Sequence, residues 1–426
     1  MGFFIIIFGF IFFIKKNITK LFCLYLFVNL SIPFNNYIHY KLVLEWKGVE
    51  TTDILLLFLL ILLVINFINI GVNIRFSKLD FIIAALFIFV VIYTFIGLQN
   101  NNEFLLSDVK TFIYFFINYV MFRSLINKDN YLSVIKTFLN SSFVYSIVVL
   151  SLYLFMQDYL PYIYGERLYA WWGNRITFSN TTLFILTIPL LLFVLIKNVF
   201  PKYKLYFSIV LLSNVISLLL SQTRTLILLC IFNCLIVLLL LLYKSYGQYR
   251  INWKLGLRLF GLLFFLTTTF IVSTYIGTSQ EIISDIVNRF QSNEGSLDVR
   301  EISNEMAANE IERNPLGYGL GKELVLYNVD YTISSAGAFI DNIFYTLGVK
   351  VGVIGVLIFI IILLSIFIGF ISNFRKNKLF MALLIILYLS FLITSAVLNA
   401  QIIYSVPVLI MFIMFITVPL KVLSYK

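Results

Sequence analysis

The stretch ISLLLSQTRTLILLCIF, residues 216–232, decides the fold class because it joins two long apolar runs through a short polar turn. Runs of this kind recur along the chain, and most approach the ~20 residues that a helix needs to cross the hydrocarbon core of a bilayer. The chain is 61% hydrophobic and 12% charged over 426 residues, which is too apolar for a soluble domain. We therefore predict an all-α polytopic integral membrane protein, with apolar segments at about residues 3–14, 21–34, 54–70, 81–98, 109–126, 131–156, 181–196, 205–220, 225–243, 255–276, 351–371, 379–396 and 402–420.

The first two segments are short, so the prediction is about 12 to 13 transmembrane helices. One large loop, residues 277–348, separates two of the later segments. The sequence shows no appended soluble domain, and residues 1–426 are predicted to form a single transmembrane domain that contains this loop.

Cysteine and histidine usage argues against a metal centre built from these residues. Cys23, Cys230 and Cys234 lie in apolar runs and are interpreted as packing residues. His39 is the only histidine, which nearly excludes a His- or Cys-built metal site but leaves a carboxylate site open. We expect neither a bound metal nor a cofactor.

The basic residues predict the orientation in the membrane. Placing loops 15–20, 77–80, 123–130, 197–204, 244–258 and 373–378 and the C-terminus in the cytoplasm, and counting these loops with their edges, puts 20 of the 31 Lys and Arg residues inside, with 2 of the 20 Asp and Glu residues. This bias follows the positive-inside rule. The net charge of +11 is therefore a topology signal and indicates no nucleic-acid partner. Three features then face outside: loop 157–180, the turn with Arg224, and loop 277–348.

The long outer loop contains a predicted helix. In DVREISNEMAANEIERNPLGYGLG, residues 298–321, Asp298 can cap a helix with Glu301 three residues later, and Asn314-Pro315 with the following glycines ends it. Helical spacing puts Arg300, Asn304, Ala307 and Ile311 on one face. The glycine run either lets backbone N–H groups approach an anion or is an ordinary loop, and its pattern does not decide between the two.

Two further outer segments carry candidate site residues. Asp341 lies just before the span in SSAGAFIDNIFYTLGVKVGVIGVLIFI, residues 334–360, where it is either solvated at the membrane surface or functional. The aromatic segment YLPYIYGERLYAWWGNRITF, residues 159–178, is either an interfacial belt or a place where sugars stack on Trp171 or Trp172. Arg175, near its end, is expected to face the same space as Arg224.

Taken in order, four segments resemble the O-antigen ligase and polymerase superfamily of bacterial surface polysaccharide assembly. They are NRITFSNTTLFILTIPLLLF, LLLSQTRTLILL, VREISNEMAANEIERNPLGYGLG and FIDNIFYTLGVKVGVIGVLIFI, and the resemblance covers about residues 171–371. Such proteins are similar to lipid-carrier-dependent glycosyltransferases of the all-helical membrane type, the type C fold. The resemblance implies a multi-pass protein of the bacterial cytoplasmic (inner) membrane.

The resemblance also implies a site and its partners. Arg224 and Arg300 correspond to arginines that engage the diphosphate of an undecaprenyl-linked sugar donor. As catalytic residues we expect Arg300 and, from the chemistry of the transfer, Asp341, which could orient or deprotonate the accepting hydroxyl. The partners implied are undecaprenyl-diphosphate-linked oligosaccharide, membrane lipid and a chain-length regulator protein. Further candidates are Arg175 and Arg313 for the diphosphate, and Trp171, Trp172 and Asn342 for the glycan.

Two departures from the family pattern affect the functional prediction. Ligases of this family typically have a histidine where this chain has Asp341, which favours the polymerase branch. Asn304 replaces the family's tryptophan four residues after the loop arginine, so Arg313 and Arg289 are alternatives to Arg300. A ligase remains an alternative function, and so does a flippase of lipid-linked glycans, although the two halves of the sequence show no internal repeat.

Overall fold

The computed structural model describes residues 2–33, 38, 45–46, 49–70, 77–126, 130–164, 176–246, 296–327, 333–375, 378–397 and 408–412. These residues are mostly helical, and nine of their helices are long and apolar enough to cross a membrane. The protein is therefore an all-α polytopic membrane protein, as the sequence predicts. Its helices are α1 Gly2–Ile14, α2 Ile18–Ser31, α3 Thr51–Ile70, α4 Lys78–Gln99, α5 Leu105–Leu125, α6 Tyr131–Phe155, α7 Leu160–Tyr164, α8 Leu183–Lys197, α9 Lys204–Leu220, α10 Arg224–Tyr246, α11 Ser296–Arg313, α12 Ile343–Asn373 and α13 Lys378–Val397.

The nine long apolar helices coincide with nine of the predicted segments. The first two predicted segments form α1 and α2, which have 13 and 14 residues and are shorter than the ~20 that span a bilayer. Segment 255–276 lies outside the described residues, and segment 402–420 is described only at 408–412. The total of about 12 to 13 spans therefore stays a prediction.

Two short antiparallel hairpins accompany the helices in the described part of the chain. Strands β1 (Glu45–Trp46) and β2 (Val49–Glu50) form the first. The second pairs β3 (Leu324–Tyr327) with β4 (Ile333–Gly337), with Leu324 opposite Gly337 and a register shift between Leu326 and Tyr327. The second hairpin belongs to the predicted outer loop, which thus contains both a helix and a small sheet.

The described residues divide into two compact units. Unit 1 contains α1 to α3 and α6 to α10, and unit 2 contains α4, α5, α11 to α13 and the hairpin β3–β4. That residues 1–426 act as a single transmembrane domain stays a prediction.

Hydrogen bonds between helices organise unit 1. Almost every residue of α8 is buried, and Thr187 on this helix accepts a hydrogen bond from Asn214 Nδ2 of α9 at 3.3 Å. The same Nδ2 donates to Ser142 Oγ of α6 at 2.8 Å, and Ser146 Oγ donates to Ser213 Oγ at 2.9 Å. Polar contacts of this kind hold apolar helices together where the hydrophobic effect does not distinguish a neighbouring helix from lipid. They fix α9, whose end carries the turn to Arg224.

A polar cluster fixes one end of the α4–α5 pair in unit 2. Ser77 and Asp80 form a reciprocal capping box at the start of α4. Asp80 Oδ1 also accepts a hydrogen bond from Tyr119 near the end of α5, and Arg123 Nε lies 3.5 Å from the same oxygen. We call these residues, Ser77, Asp80, Tyr119 and Arg123, the basal cluster. The other end of the pair, from Gln99 to Leu105, contacts residues 318–321, which follow the helix that carries Arg300.

Candidate active site at the start of α12

An ion pair joins α11 to the beginning of α12. Arg300 Nε donates to Asp341 Oδ2 at 2.9 Å, and the two side chains are 30% and 36% exposed. Among the described residues, Asp341 is the one partner of Arg300, and the bond uses Nε alone. Within the described part of the chain, the terminal nitrogens of the guanidinium are thus left for an anion that approaches this partly open site.

The backbone around Asp341 is held by the first turn of α12. Asn342 is the N-cap of this helix, and its Oδ1 accepts hydrogen bonds from the N–H groups of Phe344 and Tyr345 at 3.0 and 3.4 Å. Thr346 Oγ1 accepts from the N–H of Ile340 at 3.3 Å and donates to the carbonyl oxygen of Asn342 at 2.9 Å. These capping hydrogen bonds give Asn342 a structural role at the start of α12. Glycan binding by this residue stays a prediction.

Packing explains how α11 presents Arg300. Ala307 is buried together with Leu324, Ile340 and Val349, and Ile311 packs against this cluster. Ala307 and Ile311 therefore lie on the side of α11 that faces α12, as does Arg300, in agreement with the predicted shared face for these three residues. The predicted end before Asn314 is also confirmed. The start is not, because the helix already begins at Ser296 and so includes Asp298.

Residues 315–321, which we call the glycine segment, do not form an anion loop. Gly317, Gly319 and Gly321 all have positive φ, at 84°, 91° and 79°. The N–H groups of this segment donate hydrogen bonds within the protein. The N–H of Tyr318 donates to Val349 O, that of Gly319 to Lys350 O, that of Leu320 to Tyr93 O and that of Gly321 to Asp108 Oδ2. The structure thus supports the ordinary-loop interpretation of the glycine pattern. Glycine is needed for close packing, since a Cβ on Gly319 would collide with the backbone of Gly97.

The glycine segment accompanies a break in α12. Gly352 has φ 68° and ψ 179°, which no continuous helix contains. Instead of bonding to the carbonyl of Val349, the N–H of Val353 donates to Pro315 O, and the freed carbonyls of Val349 and Lys350 accept from the glycine segment. A broken helix is tolerated in a membrane protein where other protein groups satisfy its backbone. The span predicted at residues 351–371 corresponds to the part after the break, and Asp341 is attached to the short helical part before it.

Sequence reasoning missed a buried ion pair beside the break. Lys350 Nζ lies 2.6 Å from Asp108 Oδ2, with side-chain exposures of 3% and 12%. Lys350 Nζ also donates to the carbonyl oxygen of Ala338, and the N–H of Gly321 donates to Asp108 Oδ2 at 2.7 Å. The available signal was a lysine within the apolar run LGVKVGVIGV, together with an aspartate at the start of a span.

Arg224 belongs to unit 1 and is the first residue of α10. The turn before it is tight, because Gln222 adopts a left-handed conformation with φ 48° and Thr223 Oγ1 bonds to Ser221 O. The N–H of Ile176 donates to Leu220 O at 3.2 Å, so the end of loop 157–180 lies beside this turn. Arg175, Trp171 and Trp172, which were predicted to share this space, lie outside the described residues.

Arg313 is not brought to the Arg300–Asp341 pair. The two arginines lie at opposite ends of α11, about 20 Å apart by the helical rise of 1.5 Å per residue. Arg313 is 75% exposed and lies 3.9 Å from Glu310 on its own helix. Diphosphate binding by Arg313 stays a prediction, and Arg289 lies outside the described residues.

No group of three or more His, Cys, Asp or Glu residues suited to a metal ion occurs within the described ranges. His39 lies outside them. The expected independence of a metal stays a prediction.

Residues 207–360 match the family model described as O-antigen ligase. The matched segment contains Arg224, Arg300 and Asp341, and it confirms the superfamily resemblance without distinguishing the polymerase branch from the ligase branch. No curated protein and no solved structure matches the chain.

Proposed function

We propose, from the match of residues 207–360 to the O-antigen ligase family model, that this chain is a polysaccharide polymerase. It transfers an undecaprenyl-diphosphate-linked glycan onto another lipid-linked repeat unit at the outer face of the bacterial cytoplasmic membrane. The observation that carries the proposal is the partly exposed pair of Arg300 and Asp341, because it combines a proton acceptor with a phosphate-binding group. An acidic residue at position 341, where ligases typically have histidine, supports the polymerase branch.

The chemistry requires little beyond positioning and charge stabilisation. The bond between the anomeric carbon and the diphosphate oxygen breaks, and its electron pair leaves with undecaprenyl diphosphate. The acceptor hydroxyl oxygen bonds to the anomeric carbon, and its proton passes to the carboxylate of Asp341. The energy is already stored in the sugar–diphosphate bond, so no nucleotide is needed outside the cell.

The arginines stabilise the charge that develops on the leaving group. A guanidinium is planar and stays protonated, and it binds two phosphate oxygens at once. No described residue other than Asp341 bonds to Arg300, and Nε alone makes that bond, so its terminal nitrogens are the proposed diphosphate ligands. Arg224 is the proposed second diphosphate ligand. Fixed cations of this kind stabilise a transition state because they need no reorganisation when charge appears.

A ligase is the second candidate, because the matching family model is described as O-antigen ligase. The two activities use the same donor chemistry and differ in the acceptor. A polymerase extends a glycan that is itself linked to undecaprenyl diphosphate, whereas a ligase moves the glycan to a different acceptor. The acceptor therefore decides between them. A chain-length regulator stays a predicted partner of the polymerase.

The deciding experiment uses the purified full chain in lipid with a synthetic undecaprenyl-diphosphate-linked repeat unit. We expect a ladder of longer lipid-linked glycans and a loss of about 100-fold or more for Asp341→Asn, the scale of general base catalysis. Asp158→Asn is the matched control, because Asp158 is an exposed acid of the other predicted outer loop. Transfer to a lipid A-type acceptor without any ladder would establish the ligase instead. Absence of both products would refute glycosyl transfer.

A further inference from the structure

We infer that Lys350 and Asp108 are positioning residues that place Asp341 against Arg300. Neither residue faces the partly open site, and neither belongs to the proposed chemistry. The inference rests on the proposed function, because it gives Asp341 a position that matters for glycosyl transfer. Lys350 and Asp108 form a buried ion pair, and Lys350 also bonds to the backbone of Ala338, which precedes Asp341.

Lys350 bonds to the backbone turn that carries Asp341. Lys350 Nζ donates to the carbonyl oxygen of Ala338, three residues before Asp341. At the other end of this turn, Thr346 Oγ1 bonds to the backbone of Ile340 and Asn342. The turn is therefore held by the Lys350 ammonium on one side and by the first turn of α12 on the other. Asp341 projects from between these two attachments toward Arg300.

Asp108 in turn holds the ammonium group of Lys350. Asp108 Oδ2 accepts from Lys350 Nζ at 2.6 Å and from the N–H of Gly321 at 2.7 Å. One carboxylate oxygen thus connects the start of α5, the glycine segment and α12, all within unit 2. A lysine side chain is a flexible four-carbon stem, so the position of the Lys350 ammonium group depends on its ion-pair partner, Asp108. Asp108 therefore fixes the ammonium group of Lys350 in the position from which it bonds to the carbonyl oxygen of Ala338.

Stability alone does not explain why Lys350 and Asp108 form an ion pair. Desolvation of two charges offsets most of their attraction, so a buried ion pair adds little stability over an apolar pair of similar volume. Removing one partner is costly, because it leaves the other charge buried and uncompensated. Stability alone is therefore a weak reason for an ion pair with exposures of 3% and 12%. A defined hydrogen-bond direction at Ala338 is something that an apolar pair does not provide.

The basal cluster supplies the matched control. It is a second polar cluster of unit 2, and it joins α4 and α5 at the end away from Gln99 and Leu105. Asp80→Asn weakens this cluster without touching the turn before Asp341. A loss of activity that merely follows a loss of stability would occur for Asp80→Asn as well.

The experiment compares Lys350→Met, the double variant Lys350→Met/Asp108→Asn and Asp80→Asn in the full chain reconstituted in lipid. Thermal stability is measured together with kcat and KM for glycan extension. The single variant is expected to be unstable, because it leaves Asp108 charged and buried. The double variant removes both charges and should recover most of the stability. We expect its kcat to stay on the order of 10- to 100-fold below wild type, since misplacement by about 1 Å has this effect.

A second measurement reports position without activity. In a background with Cys23, Cys230 and Cys234 replaced by serine, Arg300→Cys and Asp341→Cys are joined by a short bifunctional thiol reagent. We expect the cross-linking yield to fall several-fold when the Lys350→Met/Asp108→Asn changes are added. With Asp80→Asn added instead, the yield should stay near that of the parent pair.

The outcomes separate the two claims. If the double variant recovers kcat along with stability, or if cross-linking is unchanged, the positioning role is wrong. If wild-type protein transfers glycan to no acceptor, the proposed function fails, and cross-linking alone then decides the inference. A fall in both kcat and cross-linking at recovered stability supports it.

Discussion

Arg224 stands at the end of its helix that is unfavourable for a cation. Arg224 is the first residue of α10, where the helix dipole is positive and a cation costs about 0.3 to 1 kcal/mol. The residues before it, Ser221, Gln222 and Thr223, are buried, so the turn itself is tightly packed. An anion that binds at this turn would offset the unfavourable interaction, which fits the diphosphate ligand that we propose for Arg224.

Replacing Arg224 by lysine tests this proposal. Lysine keeps the charge but lacks the planar fork, so Arg224→Lys should fold normally and lose roughly 1 to 3 kcal/mol of transition-state stabilisation, on the order of 10- to 100-fold in rate. Arg224→Ala should lose more. Chain elongation is measured at matched protein levels, with Arg258→Lys in the predicted cytoplasmic loop as the control. Elongation at the wild-type rate by Arg224→Lys would mean that the arginine only reaches the membrane surface, as either long cation can.

At the scale of elements, sequence predicts the helices better than the contacts that join them. The nine long helices of the described residues follow from apolar length alone, because each must satisfy its own backbone in a membrane. The sequence and the family resemblance point to Arg300 and Asp341 separately, but only the structure shows that the two side chains form an ion pair. The role of the glycine segment was not predictable, because its N–H groups bond to Tyr93, Asp108 and Val349, which lie far from it in sequence.

The glycine segment gives a prediction about stability. Gly319 has φ 91° and its Cβ position is filled by the backbone of Gly97, so Gly319→Ala should lose at least 1 to 2 kcal/mol, the approximate cost of a left-handed conformation alone. Gly337 in β4 is the matched control, because nothing lies within 4 Å of its Cβ position. Gly337→Ala should change stability by no more than about 0.5 kcal/mol.

Thermal unfolding in detergent, followed by the fraction of protein that stays monodisperse, measures both variants. A Gly319→Ala protein as stable as Gly337→Ala would show that the glycine segment is not packed against α4 as described. A similar destabilisation by both changes would indicate a general intolerance of the loop to side chains.

At the scale of the whole molecule, composition predicts that the reaction is independent of metal. His39 is the only histidine in the chain. Cationic arginines are expected to stabilise the leaving diphosphate, a task that a divalent ion performs in many other phosphate reactions. Addition of a chelator to the reconstituted reaction should therefore leave its rate nearly unchanged. Strict dependence on an added divalent cation would instead assign Asp341 and neighbouring acids to a metal site.

The orientation in the membrane decides whether the proposed site meets its substrates. The charge bias predicts that α11 and the start of α12 are outside and that the end of α12 is inside. Asn309 on α11 and Arg375 after α12 are both exposed, so cysteines at these positions should be accessible from their own side of the membrane. Lipid-linked repeat units are extended where the donor diphosphate and the acceptor sugar face the same side, and the proposed polymerase requires that side to be the outer one.

Labelling of intact cells with a membrane-impermeant thiol reagent tests this orientation. In the background without Cys23, Cys230 and Cys234, Asn309→Cys should be labelled in intact cells, whereas Arg375→Cys should be labelled only after the cells are permeabilised. The pair is internally controlled, because permeabilisation shows that each cysteine is reactive. The reverse pattern would invert the topology and place Arg300 and Asp341 in the cytoplasm. Extension of a glycan by these residues at the outer face would then be impossible, however well the ion pair suits the chemistry.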